Sequence, residues 1–325
     1  MQIFQNTNYN FVRWRWHALL LSALVIGAGI AMMVRQGGPA LGVEFAGGTI
    51  VIVEFEEMPS IQDVRSALGV LPGGGQAAIV QQYGDAAQRQ IMIRVPTAGE
   101  EIDGALSDVA DAVVVALREA DLGAFTEQGR EIVGPIVGEQ LKRQGIWATV
   151  LALAGILLYI AFRFQLGFAV GAVVATSHDI FVTLAFMTFF GYDLTLNVIA
   201  AILTIAGYSV NDTIVVFDRI RENMRSMRRD NLENIVNVAV NQTLARTIIT
   251  AGTTLFAVVA LFLFGGEVLR GMAFALIVGV ISGTYSTVFI ASAIAIIWQG
   301  NRPLKGQVAT TDAAASRRTR RARAS

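Results

Sequence analysis

Six apolar runs divide the chain, at 17–34, 146–162, 166–190, 194–217, 246–264 and 270–298. Each is about as long as a helix needs to cross a bilayer, roughly 17–25 predominantly apolar residues. Between the first and second runs the pattern changes. Residues 42–57 alternate and are rich in Val, Ile and Phe, which predicts a strand. Ser60-x-x-Asp63 reads as the opening of a short helix, with Asp in the place of Glu in a capping box. Residues 77–83 and 90–95 predict two strands joined by a turn at Gly84-Asp85, with Gly73-Gly74-Gly75 as a loop leading into the first. Thr97-x-x-Glu100 opens a second helix, in which Ile102, Leu106, Val109, Val113 and Leu117 keep helical spacing. Residues 125–133 predict a last strand. The order βαββαβ is that of a ferredoxin-like split βαβ unit.

The expected architecture is an α-helical membrane protein of six transmembrane helices carrying a ferredoxin-like α+β domain between helices 1 and 2. Residues 1–38 hold the N-terminus and the first helix, 39–140 the inserted domain, 141–300 helices 2–6, and 301–325 a basic, disordered tail. The basic start before the first run also fits a signal peptide. The run is long for one, however, and Arg35-Gln36-Gly37-Gly38-Pro39 offers no small-x-small cleavage site, so an uncleaved helix with interfacial Trp14 and Trp16 is expected.

Composition supports a membrane protein: 54% of the 325 residues are hydrophobic and 15% charged. The chain has no cysteine, which excludes disulfides and thiolate metal sites. Its two histidines, His17 and His178, lie too far apart in sequence to suggest a metal or haem site. No metal, cofactor or nucleic-acid partner is expected. The net charge of zero conceals an asymmetry. The N-terminus, the 163–165 loop, the 218–246 segment and the tail together hold 16 of the 25 Lys and Arg residues, whereas loops 191–193 and 265–269 hold none. The positive-inside rule then places both termini in the cytoplasm and the inserted domain outside. The tail cluster Arg317-Arg318-x-Arg320-Arg321-x-Arg323 reads as a topology anchor, with anionic lipid or ribosomal RNA as alternative contacts.

Ionisable groups within apolar runs are costly, about 2.5–3.5 kcal/mol each at the bilayer centre on insertion scales, and so mark function. Asp212 lies in the fourth run, about 9 Å past its middle toward the cytoplasm. Helical spacing puts Asn197, Thr204, Tyr208 and Ser209 on its side. Arg246 begins the fifth run at similar depth, with Thr250 and Thr253 on its face. An Asp212–Arg246 pair is expected, either as a proton-exchange site reached by water or as a static ion pair that holds helices together. His178-Asp179, near the middle of the third run with Thr176, Ser177 and Thr183, is a second relay candidate or a hydrogen-bonded packing pair. Asp218 and Arg219 read as interfacial anchors. Gly279-x-x-x-Gly283 and Gly167-x-x-x-Gly171 predict close helix packing.

Five segments together carry a family resemblance: GVEFAGGT (42–49), VGPIVGEQL (133–141), GYSVNDTIVVFDRIRE (207–222), NQTLARTIITAGTT (241–254) and SGTYSTVFIAS (282–292). They resemble the signatures of the SecF family, the smaller membrane partners of SecD in bacterial protein export, within the RND superfamily. The resemblance runs from about residue 10 to 300. Gly42, Glu44, Phe45, Gly47, Gly48 and Thr49 fall on the first signature, with Glu44 where Asp is commoner. It implies an RND-type half-bundle in the bacterial inner membrane, a heterodimer with SecD, and association with the SecYEG channel and YajC. It further implies that proton flow helps draw unfolded polypeptides outward. The family's intramembrane acid and arginine fall on Asp212 and Arg246, beside Asn211, and its His-Asp pair on His178-Asp179. Three other readings are weighed against it. A small-molecule or lipid exporter of the same superfamily would ordinarily carry twelve spans. An intramembrane aspartyl protease would use Asp179 and Asp212, but the sequence around Asp212 lacks a Gly-x-Gly and the two acids differ in depth. A scaffold would move no ions at all.

Overall fold

The computed structural model describes residues 7–71, 78–84, 86–95, 103–163 and 166–299. The expected Gly73–Gly75 loop, the Thr97-x-x-Glu100 helix start, the Phe164-Gln165 turn and the arginine-rich tail lie outside the described residues.

Among the described residues, six helices are long and apolar enough to cross a membrane. They are α1 (Arg15–Arg35), α5 (Pro135–Arg163), α6 (Leu166–Phe189), α7 (Leu196–Ser226), α8 (Leu232–Phe264), and a last one built from α9 (Glu267–Ser286), a π segment (Thr287–Ala291) and α10 (Ser292–Gln299). They divide into two classes. The apolar windows of α6, α7 and the last helix are 56%, 44% and 56% buried within the chain; those of α1, α5 and α8 are 17%, 11% and 6% buried. The first three are therefore the centre of the bundle, and the other three present apolar faces outward, as lipid contact requires.

Small residues let the central helices approach. A Cβ on Gly279 would lie 2.3 Å from Ile205 of α7, one on Gly283 3.2 Å from Ser209, and one on Gly171 of α6 2.9 Å from the Ala291 carbonyl oxygen. Both small-xxx-small patterns therefore mark real approaches. Gly279→Val is expected to lower stability in detergent by about 1–3 kcal/mol through overpacking. Partial rescue by Ile205→Ala, read as thermal midpoint, checks that the clash is with this side chain.

The inserted section contains α2 (Val43–Ala46), β1 (Gly48–Phe55), α3 (Ile61–Ala67), β2 (Ile79–Tyr83), β3 (Gln90–Val95), α4 (Asp103–Glu119) and β4 (Phe125–Val133). Its strands form one antiparallel sheet in the order β2-β3-β1-β4. One face, with Val51, Val53, Phe55, Ile91 and Ile93, packs on Val64 of α3, on Leu68 in the turn that follows it, and on Val113 and Leu117 of α4. The alternate residues Ile50, Ile52 and Met92 form a smaller cluster with Val43, on the side toward the bundle. Ser60 caps α3 by accepting from the Asp63 amide at 3.1 Å, as its sequence position predicted.

The structure departs from the sequence reading in three places. The strand expected over 42–57 begins only at Gly48, because residues 43–46 form a helical turn that ends where Gly47 adopts φ +72°. The second span belongs to a helix that starts at Pro135, upstream of 146, so the expected boundary at 140 falls inside α5. The basic segment expected between spans four and five is largely helical: α7 runs on to Ser226 and α8 begins at Leu232, capped by Asn231.

Candidate functional site

The bundle holds two polar centres. The inner one is built around Asp179 of α6, which has no exposed surface. Its carboxylate accepts from Ser209 of α7 (2.5 Å), and from Ser282 (2.7 Å) and Ser286 (2.7 Å) of α9. His178 Nδ1 is 3.0 Å away, and His178 Nε2 is 2.8 Å from Ser22 Oγ on α1. Ser22 donates to Tyr285 OH at 3.3 Å, and Tyr285 donates to the Ala18 carbonyl at 2.8 Å. One carboxylate thus ties together α6, α7 and α9, and through His178 it also reaches α1. His178, Asp179 and Ser209 stand out in the sequence, Ser209 there on the side of Asp212, but Ser22, Ser282 and Ser286 do not. Serines in an apolar helix look like packing residues, and the readable clue was that Ser282 and Ser286 lie four apart, on one helical face.

A single carboxylate with this many donors is well satisfied, which offsets the cost of its burial. Beside it, Thr213 and Thr287 bond at 3.0 Å, where the last helix turns to π geometry and Ser292 Oγ donates to the Thr287 carbonyl at 3.1 Å. π turns recur at functional sites.

The outer centre is Asp212. One carboxylate oxygen accepts from Thr247 of α8 at 2.8 Å; the other is buried and has no hydrogen-bond partner among the described residues. Arg246 is near enough to act on Asp212 electrostatically, but no ion pair joins them. The expected direct Asp212–Arg246 contact is therefore replaced by a bond from the residue after Arg246. A search for charged partners alone passes over a threonine.

The expected polar face also divides. Ser209 turns inward to Asp179, whereas Thr204, Asn211, Arg246, Thr250 and Thr253 are exposed on the flank of α7 and α8, with Tyr208 half-buried beside them. On the same flank nothing lies within 4 Å of where a Cβ on Gly207 or Gly252 would be. Asn197, also exposed, sits apart at the other end of α7, lining a cleft against the sheet. At the end of α7 nearer Ser226, Asp218 pairs with Arg163 of α5 at 3.0 Å, while Arg219 bonds Gln242 of α8 at 2.7 Å.

The first signature segment forms a joint. The Gly42 amide donates to the Leu194 carbonyl (2.9 Å), and the Leu194 amide donates to the Ala40 carbonyl (2.7 Å). Phe45 is buried beside Gly145 of α5, Thr49 is wholly buried, and a Cβ on Gly138 would come within 3.2 Å of the Gly47 nitrogen. Segments 42–49 and 133–141, distant in sequence, therefore interlock between the sheet and the bundle. No group of three or more His, Cys, Asp or Glu among the described residues could hold a metal ion.

Comparison with known proteins agrees with this arrangement. The family model described as protein export membrane protein SecD/SecF, C-terminal, matches residues 113–301. The protein translocase subunit SecF of Desulfurispirillum indicum is 40% identical over 89% of this chain and 91% of its own length. That of Rhodothermus marinus is 41% identical over 95% of this chain and 99% of its own. The crystal structure of SecDF from Thermus thermophilus, a translocon-associated membrane protein, superposes with a TM-score of 0.80 at 32% identity. It covers 91% of this chain, which spans 39% of the SecDF chain. Six helices among the described residues long and apolar enough to cross a membrane, a joint and polar flank that fall on the signature segments, and likeness to SecF subunits over most of their length agree: this chain belongs to the SecD/SecF family of protein-export membrane proteins.

Proposed function

We propose that the chain acts with a SecD partner as an auxiliary subunit of protein export, converting proton flow across the inner membrane into outward movement of polypeptides at the SecYEG channel, with YajC as a further associate. In this reading both termini are cytoplasmic and the four-stranded unit is a ferredoxin-like domain on the outer side. The half-satisfied Asp212 carboxylate carries the proposal. A half-buried acid with one oxygen bonded to Thr247 and the other buried without a partner among the described residues is poised to exchange a proton. Proton uptake there would weaken its attraction for Arg246 and for the Thr247 hydroxyl, loosening α7 from α8. His178-Asp179, multiply bonded, would act as a second relay group or as the pivot about which the helices rock.

The exposed polar flank of α7 and α8 supports a protein neighbour. An asparagine and an arginine on a lipid-facing surface are costly, and a second half-bundle packed there would cover them. The matching of this chain to part of the longer SecDF chain fits SecD as that neighbour. One charge crossing 100 mV gains about 2.3 kcal/mol, enough to bias a conformational equilibrium about 50-fold. The test is export of a preprotein into membrane vesicles with and without a proton gradient. Vesicles lacking this chain are expected to lose the gradient-stimulated part of export and keep the ATP-driven part. Undiminished stimulation in its absence would refute the proposal.

A further inference from the structure

A cleft of about 470 Å³ separates the sheet from the bundle. It is built by the register of the strands. Ile50 of β1 pairs with Arg94 of β3 on one side and Glu131 of β4 on the other, so Arg94 and Glu131 stand two strands apart on the face turned to the bundle. At about 4.8 Å per strand their backbones are about 10 Å apart, a gap two long side chains can close. The charged and titratable groups lining the cleft are Glu44 from α2, Tyr83 from β2, Arg94, Glu131, Tyr192 and Asp193 from the α6–α7 loop, and Arg270 from α9.

Arg94 crosses the cleft. Its Nη2 bonds the Asp193 carboxylate and its Nη1 donates to the Leu41 carbonyl at 3.3 Å, while its buried Nε has no partner among the described residues. Only 8% of Arg94 is exposed. Glu44 folds back over the linker, its Oε2 2.3 Å from where a Cβ on Gly42 would be. The cleft therefore holds three carboxylates against two guanidiniums, together with one orphaned N–H donor.

We propose that Glu131, which shares the cleft with the Glu44 carboxylate, is the proton-binding group that sets whether Arg94 latches the sheet to Asp193 or lets it go. When Glu131 holds a proton it does not compete, and Arg94 stays on Asp193. When that proton leaves to water, the Glu131 carboxylate accepts from Arg94 Nε, draws the guanidinium off Asp193, and frees the sheet to swing from the bundle. The latch is closed at low pH. The sign follows from the environment: partial burial first, then the Glu44 carboxylate, push Glu131 above the usual carboxylate range, and Arg94 pulls it back only in part. Protonation thus favours the closed joint, and closure is lost as pH rises through that raised value. That the cleft faces the proton-rich side rests on the orientation proposed above.

The sequence has no cysteine, so paired spin labels can be placed on the full chain at Gln82→Cys and Val268→Cys, both on the cleft wall. Inter-label distance is then measured in nanodiscs from about pH 8 to about pH 4. The labels are expected to draw together as pH falls, with a midpoint above the ordinary carboxylate range. Glu131→Gln should hold them together at every pH. Glu44→Gln should lower the midpoint, and Asp193→Asn should hold them apart throughout. A distance independent of pH in the otherwise unaltered chain, or an unchanged midpoint in Glu131→Gln, overturns the proposal. Nanodiscs expose both faces and carry no gradient, so this outcome is independent of orientation and export. Asp212→Asn should leave the midpoint where it was even where it stops gradient-driven export.

Discussion

Export vesicles carrying Asp212→Asn are expected to lose all of the gradient-stimulated export while their ATP-driven export continues. Asparagine keeps the size of the side chain and can still accept from Thr247 Oγ1, so α7 and α8 should remain packed and the complex should still assemble. What it removes is the charge and the exchangeable proton. Because one charge moved through 100 mV can bias the cycle about 50-fold, the gradient term should vanish rather than decline by degrees. Thr247→Val is the graded companion. It removes the one hydroxyl that bonds the carboxylate, an interaction worth about 1.5–3 kcal/mol when one partner is charged. Its stimulation should fall between those of the unaltered chain and Asp212→Asn. Initial rates of preprotein protection, with and without an ionophore, check both.

Asp179→Ala should act differently, through stability. Removing this carboxylate takes the shared acceptor from the hydroxyls of Ser209, Ser282 and Ser286 and from one ring nitrogen of His178, all of them buried. Breaking a buried, charged hydrogen-bonded cluster by removing one member costs about 3–5 kcal/mol. A chain stable by only about 5–15 kcal/mol would show a large fall in thermal midpoint and in recovered folded protein. Asp179→Asn keeps one acceptor oxygen and should fall between the two. The contrast is diagnostic: the inner acid is expected to govern folding, and the outer acid export. If Asp179→Ala left the thermal midpoint unchanged, the hub would not join the helices as described.

The division between what could be read from the chain and what could not has physical causes. Spans, the succession of strands along the chain and the Ser60 cap were legible because hydropathy and local turn chemistry are carried by neighbours in sequence. Helix α2 was not, since Val43, Phe45 and the following Val-Ile run share one β-like composition, and only the positive φ of Gly47 separates helical turn from strand. At the site, Asp212 stood out as an acid in an apolar run. Its actual partner did not, because a threonine is cheap in a membrane helix and carries no sequence signal of its own. The same holds for Ser22, Ser282 and Ser286, whose meaning appears only when α1, α6 and α9 are brought together. The π turn at Thr287–Ala291 has no signature in its composition. Ser209 shows the limit of helical-wheel reasoning. It lies three residues from Asp212, yet the rotation of α7 sends one inward to Asp179 and leaves the other on the flank toward α8.

The most direct test of the account is proton movement itself. The chain is reconstituted with its SecD partner, SecYEG, SecA and a preprotein in liposomes loaded with a pH-sensitive dye, and a proton gradient is imposed. The unaltered complex is expected to pass protons at a rate that rises when polypeptide is being exported, and Asp212→Asn is expected to abolish that rise. Equal flux with asparagine at that position would mean that protons do not pass by way of this carboxylate, and would contradict the mechanism.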